Sequence, residues 1–416
     1  MLTHTVAMSV RRLIHPQSSL LQSLCNVWHG GCSRAMSSTA LSPAVFYQAL
    51  RDSGVEFFSG VPDSLLKDFC AFVTQTVPEQ DHFITANEGN AVAMCAGYHL
   101  ATGKTGLVYL QNSGLGNMVN PLMSLMAPAV SNIPVLLLIG WRGEPGVKDE
   151  PQHVTQGRLT EAMLECMEIP CRVLPKDEGE MKEILHEAKQ HFEEKKAPFG
   201  LLVKAKTFDT CKLPPEPPQF PLRREEALGK VISCLSPTDA IVSSTGMLSR
   251  ELFEYREKNQ MGHKQEFLTV GAMGHASCIA LTIALNKPDR KVVALDGDGA
   301  VLMHMGTLAT IGQRGPPNFH HVVFNNGAHD SVGGQPTHAS CHHTFSITDI
   351  ARACGYNKTF CVSTEEEIEA GMKRLMGQPG PVLMEVKIRT GSRSDLGRPT
   401  RTTFQNKDEF MEFVRS

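Results

Sequence analysis

Residues 291–337 read KVVALDGDGAVLMHMGTLATIGQRGPPNFHHVVFNNGAHDSVGGQPT, and the rest of the chain is organised around them. KVVAL is a short β-branched apolar run that stops at Asp296-Gly297-Asp298-Gly299. A mixed apolar segment over 301–313 predicts a helix, ended by Gly315-Pro316-Pro317. HHVVF then predicts a second strand, closed by Asn325-Asn326-Gly327. Parallel strands joined by a helix bring their carboxyl ends to one edge of a sheet. Asp298 and Asn326 therefore converge although 28 positions separate them (326 − 298). Asp298 offers a carboxylate, Asn326 an amide oxygen, and Ala328 a carbonyl that can turn inward after Gly327. Three oxygen donors with no thiol or imidazole suit Mg²⁺. The glycines beside Asp298 let the main chain approach a diphosphate closely. Taken alone, Gly-Asp-Gly is also a common turn.

The remaining sequence repeats the strand, loop, helix pattern. Ser42 and Pro43 open a helix that Gly54 closes, EFFSGVPDS is strand then turn, and LLKDFCAFV is a second amphipathic helix. HFITANEGNAVAMCAGYHLATGK, GLVYLQNSGLGNMVNPLMSLMAP and IPVLLLIGWRGEPG each continue strand, loop and helix or loop, and CRVLP, a helix near 178–196 and FGLLV complete the series. Alternation of this kind predicts an α/β fold with parallel sheets covered on both faces. LPPEPPQFP, at 213–221, holds five prolines in nine positions and cannot continue a helix or a central strand. The predicted organisation is a first domain over 42–212, a Pro-rich linker over 213–221 and a second domain over 222–416.

With 416 residues, 41% of them hydrophobic, the chain can bury two cores. A formal net charge of −3 gives no case for nucleic acid or an anionic membrane surface, and no apolar run reaches the roughly 18 residues of a membrane span. The twelve cysteines are scattered singly, without the pairs of a zinc ribbon or a disulfide scaffold. Residues 1–40 carry Arg11, Arg12 and Arg34, many serines and leucines, and no acidic residue; the first is Asp52. This make-up reads as a mitochondrial presequence that directs the protein to the matrix, with a plain N-terminal tail as the alternative.

Strand, GDG, helix, strand and terminal NN at this spacing resemble the diphosphate-binding motif of the thiamine-diphosphate-dependent decarboxylase superfamily. FITANEGNAVAMCAGYHLATG resembles the segment that carries that superfamily's glutamate. The resemblance implies two parallel-sheet domains, pyrimidine-binding and diphosphate-binding, without a central third domain, and thiamine diphosphate with Mg²⁺ as cofactors. It places Gly297, Asp298, Gly299, Ala300 and Asn326 on the diphosphate, and Asp298, Asn326 and Ala328 on the metal. Glu88 falls on the aminopyrimidine nitrogen N1′, and Met273 supports the bent cofactor. Read alone, Glu88 in a first helical turn is also a favourable dipole partner, and Met273 an ordinary core methionine. A glutamate in one domain and a diphosphate site in the other imply a homodimer or homotetramer with active sites between subunits.

GVPDS resembles a turn whose acidic residue faces the reacting centre, which makes Asp63 a catalytic candidate, although its spacing is one residue short. The two-domain economy, with GWRGEPGVKDEPQHVTQGR at 140–158, resembles the branch of the superfamily that decarboxylates phosphonopyruvate and sulfopyruvate. A small-molecule 2-oxo acid is then the substrate. A phosphonate dianion needs cations or donors, and Arg142, Lys148, His153 and His329 are the candidates. The 140–158 loop also holds Glu144, Asp149 and Glu150, as a solvated mixed-charge loop would. A sulfopyruvate or other 2-oxo-acid decarboxylase and a non-catalytic cofactor-binding homologue remain alternatives. A nicotinamide dehydrogenase does not fit, because GxGxxG is missing from the first strand-to-helix turn of either half.

Overall fold

The computed structural model describes residues 40–341 and 344–416. The segment read as a presequence, residues 1–40, lies outside them except for Ala40. The first half runs α1 (Pro43–Asp52), β1 (Val55–Gly60), α2 (Lys67–Thr76), β2 (His82–Ile84), α3 (Glu88–Thr102), β3 (Thr105–Gln111), α4 (Leu115–Pro121), β4 (Val135–Gly140), α5 (Pro151–Cys166), β5 (Cys171–Val173), α6 (Glu178–Lys195) and β6 (Phe199–Val203). The second half runs α7 (Arg224–Ser233), β7 (Ala240–Ser243), α8 (Met247–Lys258), β8 (Glu266–Leu268), α9 (Ala276–Asn286), β9 (Val292–Gly297), α10 (Asp298–Met303), α11 (Gly306–Arg314) and β10 (Phe319–Asn325). A small ribbon of β11 (Ala328–His329) and β12 (Gln335–Pro336) follows, then α12 (Ile347–Cys354), β13 (Lys358–Val362), α13 (Glu365–Met376), β14 (Val382–Lys387) and α14 (Thr403–Arg415).

Each half holds one six-stranded sheet, ordered β2-β1-β3-β4-β6-β5 in the first and β8-β7-β9-β10-β14-β13 in the second. Every pairing in both sheets is parallel. If the second sheet's strands are counted in chain order, the two orders are the same. In each, the chain moves to one side after its first strand and to the other after its third, which leaves a switch point between those strands where ligands bind in open α/β sheets. Val135–Gly140 is buried along its whole length, as a central strand covered on both faces requires. Each sheet carries an apolar cluster on either side.

The two expected parallel-sheet domains are present. One detail differs: the helix expected over 301–313 is two helices, broken at His304-Met305, and the first starts at Asp298 itself. Residues 204–223 join the halves without a helix and lie against the first half through the bridge of Phe208 to Leu41, the Lys204–Glu144 ion pair, and hydrogen bonds from the Cys211 amide to Asp68 and from Gln75 to the Lys212 carbonyl.

Candidate active site

β9 and β10 pair in register, Val323 with Asp296 and Phe324 with Gly297, so the residues that follow them emerge side by side. Asp298 begins α10 and is only 3% exposed. Its Oδ2 accepts a 2.5 Å hydrogen bond from the Thr337 hydroxyl. Burial pushes its pKa up to about 6, against the Thr337 hydrogen bond and nearby main-chain amides that pull it down. Asn326 is oriented from both ends. Its Nδ2 donates to Asp330 Oδ2 at 2.6 Å, and its Oδ1 accepts from the Ala328 amide at 3.1 Å. Asp330 is fixed in turn by the buried Arg224, whose guanidinium donates to it at 3.2 Å and forks onto Glu251 at 2.8 and 3.2 Å.

These groups line a cleft of about 550 Å³, counted to its open mouth, which Met273, Ala300, Ala328 and His329 also border. The first turn of α8 forms another wall with Gly246 and Met247. Gly246 has φ 92°, and no side chain caps the helix, so its first amides are left as donors at the positive end of the helix dipole. A Cβ on Gly299 would stand 3.1 Å from the His329 ring, so the main chain comes as close to the cleft as a glycine permits. Met273 is flanked by Ala272 at φ 51° and Gly274 at φ 86°, and this left-handed pair turns it out of the chain path into the cleft.

The donor set fits thiamine diphosphate and its cation. Among the described residues no group of three or more His, Cys, Asp or Glu could hold a metal ion. A hard cation must therefore rely on one carboxylate, an amide oxygen and main-chain carbonyls, which Asp298, Asn326 and Ala328 supply. A lone desolvated carboxylate is costly until a cation joins it. The free amides of α8 and the glycines around Asp298 suit the diphosphate anion.

The other end of the site belongs to the first half. Asn87 caps α3 by accepting from the Gly89 amide at 2.8 Å, which fixes Glu88 at the first helical position. Glu88 is 4% exposed, wedged against Gly114, and accepts from Asn117 Nδ2 at 2.7 Å. Burial raises its pKa in spite of that hydrogen bond. A carboxyl group whose protonated form is favoured by burial can share a proton with a ring nitrogen. The two halves meet here within the chain: Asn87 Nδ2 lies 3.5 Å from the carbonyl of Met303, at the end of α10. Thr74 Oγ1 also donates to Gln335 Oε1 at 2.8 Å.

Other candidates stand differently from expectation. Asp63 has no exposed surface; it accepts from the Leu65 amide and from Gln111 Nε2, both at 2.7 Å, and packs where Gly140 has no side chain. It ties together the ends of β1, β3 and β4 rather than opening onto the cleft, because the short turn folds it inward. Arg142 is not a free cation: it forks onto Asp149 at 2.8 and 2.5 Å and donates to Ser64 Oγ at 2.9 Å. That pairing holds the Asp149 carboxyl well below its ordinary range. Lys148 is exposed on the loop. His153 is buried, and burial followed by the nearby Arg142 lowers its pKa, which keeps the ring neutral. His329 borders the cleft, but desolvation and His338 push its pKa down to about 4, so it too is neutral at pH 7. Sequence reasoning missed Thr337, Asp330, Arg224, Glu251 and Asn117. Thr337 and Asp330 fall inside the stretch that was read, but their partners are set by tertiary packing.

Each half of the chain contains a known domain. Residues 43–164 match the thiamine pyrophosphate enzyme, N-terminal TPP binding domain, and residues 244–386 match the C-terminal TPP binding domain. The chain is 35% identical over 377 residues to phosphonopyruvate decarboxylase of Streptomyces viridochromogenes, covering 87% of this chain and 92% of the relative. It is 33% identical over 390 residues to the Streptomyces hygroscopicus protein of the same name, covering 90% and 94%. Sulfopyruvate decarboxylase of Methanosarcina acetivorans is 26% identical over 367 residues, covering 83% and 90%. With both domains matched and relatives this similar over nearly the whole chain, this chain belongs to the thiamine pyrophosphate enzymes, in the group of thiamine-diphosphate- and Mg²⁺-dependent 2-oxo-acid decarboxylases that includes phosphonopyruvate decarboxylase.

Proposed function

We propose that the chain catalyses the non-oxidative decarboxylation of 3-phosphonopyruvate to 2-phosphonoacetaldehyde and CO2. The observation that carries this reading is the higher identity, over nearly the whole chain, to the two relatives named for that substrate than to the one named for sulfopyruvate. When bound, thiamine diphosphate supplies the electron sink for the electrons left behind as CO2 departs. The chain's residues bind and orient. Asp298, Asn326 and Ala328 hold Mg²⁺, the α8 amides with Gly297, Gly299 and Ala300 hold the diphosphate, and Met273 supports the bent cofactor. Glu88 shares its proton with N1′, and its burial favours the protonated form that can do so. The buried Arg224–Asp330 pair keeps the Asn326 amide from rotating its nitrogen toward the cation.

The proposed assembly is a homo-oligomer. Residues 204–223 are long and irregular enough for the facing halves to be exchanged between two chains, and the resemblance implies that they are. The substrate is tested by incubating purified protein, thiamine diphosphate and Mg²⁺ with phosphonopyruvate, sulfopyruvate and pyruvate, and measuring CO2 release. The highest kcat/KM is expected on phosphonopyruvate. A higher value on either of the others would overturn the substrate reading while leaving the decarboxylase in place.

A further inference from the structure

The loop after β4 and the start of α5 rest on the second half of the chain. Glu150 makes an ion pair with Arg398, and a Cβ on Gly271 would stand 3.3 Å from Gln152 Cβ. Arg250, on α8, faces this junction, with Arg398, Glu150 and Arg142 as its charged neighbours. The charges there do not balance. Asp149 is taken by Arg142 and Glu150 by Arg398, which leaves Arg250 as the third guanidinium with no carboxylate of its own. Among the described residues no hydrogen bond or ion pair engages it, although it is half-buried. Burial and the two neighbouring arginines oppose its charge. Holding a guanidinium partly out of water near two others costs free energy unless an anion joins it.

The position is next to the cofactor cleft. Met247, three residues before Arg250 and so on the same face of α8, lines the cleft, and so does Met273, two residues after Gly271. Across the junction, at the start of α5, Gln152 Oε1 and His153 Nδ1 are buried without hydrogen-bond partners among the described residues. Both side chains can donate to an anion, the amide by rotating and the imidazole as its other tautomer.

We propose that Arg250, backed by Arg142 and Arg398, binds the dianionic substituent on C3 of the substrate at the mouth of the cleft. The inference rests on the phosphonopyruvate reading and deepens it by naming the group that reads the phosphonate. A planar guanidinium matches two phosphonate oxygens with parallel donors, which a lysine cannot reproduce. The carboxylate of the same substrate is left free to be expelled over the cofactor. Sequence reasoning assigned this role to Arg142, Lys148, His153 and His329; Asp149 pairs with Arg142, and Arg250 lies 108 positions further on in the chain (250 − 142).

The test uses full-length protein saturated with thiamine diphosphate and Mg²⁺. Arg250→Met is expected to lose kcat/KM on phosphonopyruvate by roughly ten- to a hundredfold, as for a lost charge-assisted hydrogen bond, and to change little on pyruvate. Arg250→Lys should fall between. Methylphosphonate should inhibit the wild type competitively and bind Arg250→Met at least tenfold more weakly, roughly the loss of one such bond. Retained cofactor-induced thermal stabilisation shows that the variants are folded. If Arg250→Met does not fold, the Arg250→Lys results on substrates and methylphosphonate decide. Equal losses on phosphonopyruvate and pyruvate, or unchanged methylphosphonate binding, overturn the proposal. If the wild type prefers pyruvate, the substrate reading falls, and methylphosphonate binding still judges the arginine separately.

Discussion

Asp298→Asn should make the cofactor-free protein more stable and the cofactor-loaded protein less so. Burial raises the Asp298 pKa from an ordinary 3.8 to about 6. The folded state thus binds a proton that the unfolded chain has released between those values, and stability falls as pH rises across that window. At neutral pH the accumulated penalty is about 3 kcal/mol, at 1.36 kcal/mol for each of about two pKa units. Asparagine keeps the size and an acceptor for Thr337, but one oxygen that faces main-chain amides becomes an NH2, at a cost of about 1 kcal/mol. The net gain expected for the apoprotein at pH 7.5 is about 2 kcal/mol, and at pH 5 it should fall below about 1 kcal/mol, because the unfolded chain's carboxyl is then approaching its own pKa of 3.8. Thermal unfolding of both proteins at pH 5 and pH 7.5, with and without thiamine diphosphate and Mg²⁺, is the measurement. In the wild type the ligands should raise Tm; in the variant they should not, because the only carboxylate that holds the cation is gone. A variant that is no more stable than wild type at pH 7.5, or that still responds to the ligands, would refute the reasoning that this residue is a destabilised metal ligand.

Glu88→Gln should preserve the fold and most of the cofactor affinity but lower kcat by about 10² or more, the usual cost of a positioned acid-base group. Exchange of the cofactor C2 proton, followed by NMR in D2O, should slow in parallel. Arg224→Met leaves Glu251 and Asp330 buried without their cation, a loss of about 3–5 kcal/mol in unfolding free energy. Because Asp330 also orients Asn326, the Mg²⁺ concentration for half-maximal activity should rise, a shift that a general loss of packing would not produce. Mixing inactive Glu88→Gln and Asp298→Ala chains under conditions that exchange subunits should restore roughly a quarter of wild-type activity, since half of randomly formed dimers are mixed and each has one intact site of two. No recovery would mean that each site is closed within one chain. Residues 1–40 fused ahead of a fluorescent protein are expected to carry it into mitochondria, and diffuse cytosolic fluorescence would count against the presequence reading.

What could be read from the sequence was local or periodic. Asp298 and Asn326 were legible because two apolar runs, a breaker between them and the handedness of a parallel crossover determine where both strands end, and β9 and β10 do pair in the register that brings them side by side. Glu88 was legible through the resemblance of FITANEGNAVAMCAGYHLATG, its helix start alone being equally that of a dipole partner; the structure adds that Asn87 caps the helix and Gly103 ends it. Partners set by packing were not. Arg224 opens α7, far from the motif in sequence, and nothing in RREEALGK marks it as the anchor of Asp330. Arg142 was misread as a free cation because its partner Asp149, seven residues on, counted only as loop charge until the turn between them closed. β13, β14 and the last three helices were not read at all, although β14 is an internal strand of the second sheet, between β10 and β13. VLMEVK is too short to be told from a helix segment by periodicity alone.

The repeated strand order explains how two such different tasks come from similar halves. Each sheet opens a crevice between its first and third strands. In the second half that crevice takes Ser244 from the end of β7 and Gly297-Asp298 from the end of β9, and glycines with an uncapped helix leave it wide and rich in donors. In the first half the corresponding positions are filled. Asp63, after β1, is bonded to Gln111, at the end of β3, and the crevice is closed by their 2.7 Å hydrogen bond. That closure has a function of its own. Gln111 leads directly into the turn that carries Gly114, and Gly114 and Asn117 form the wall against which Glu88 is held. A side chain on Gly114 would collide with the Glu88 carboxyl, since its Cβ would lie 2.3 Å from Oε1. One half therefore uses its switch point to bind a ligand. The other uses the same topology to hold a buried acid in place, and the decarboxylase needs both to face each other.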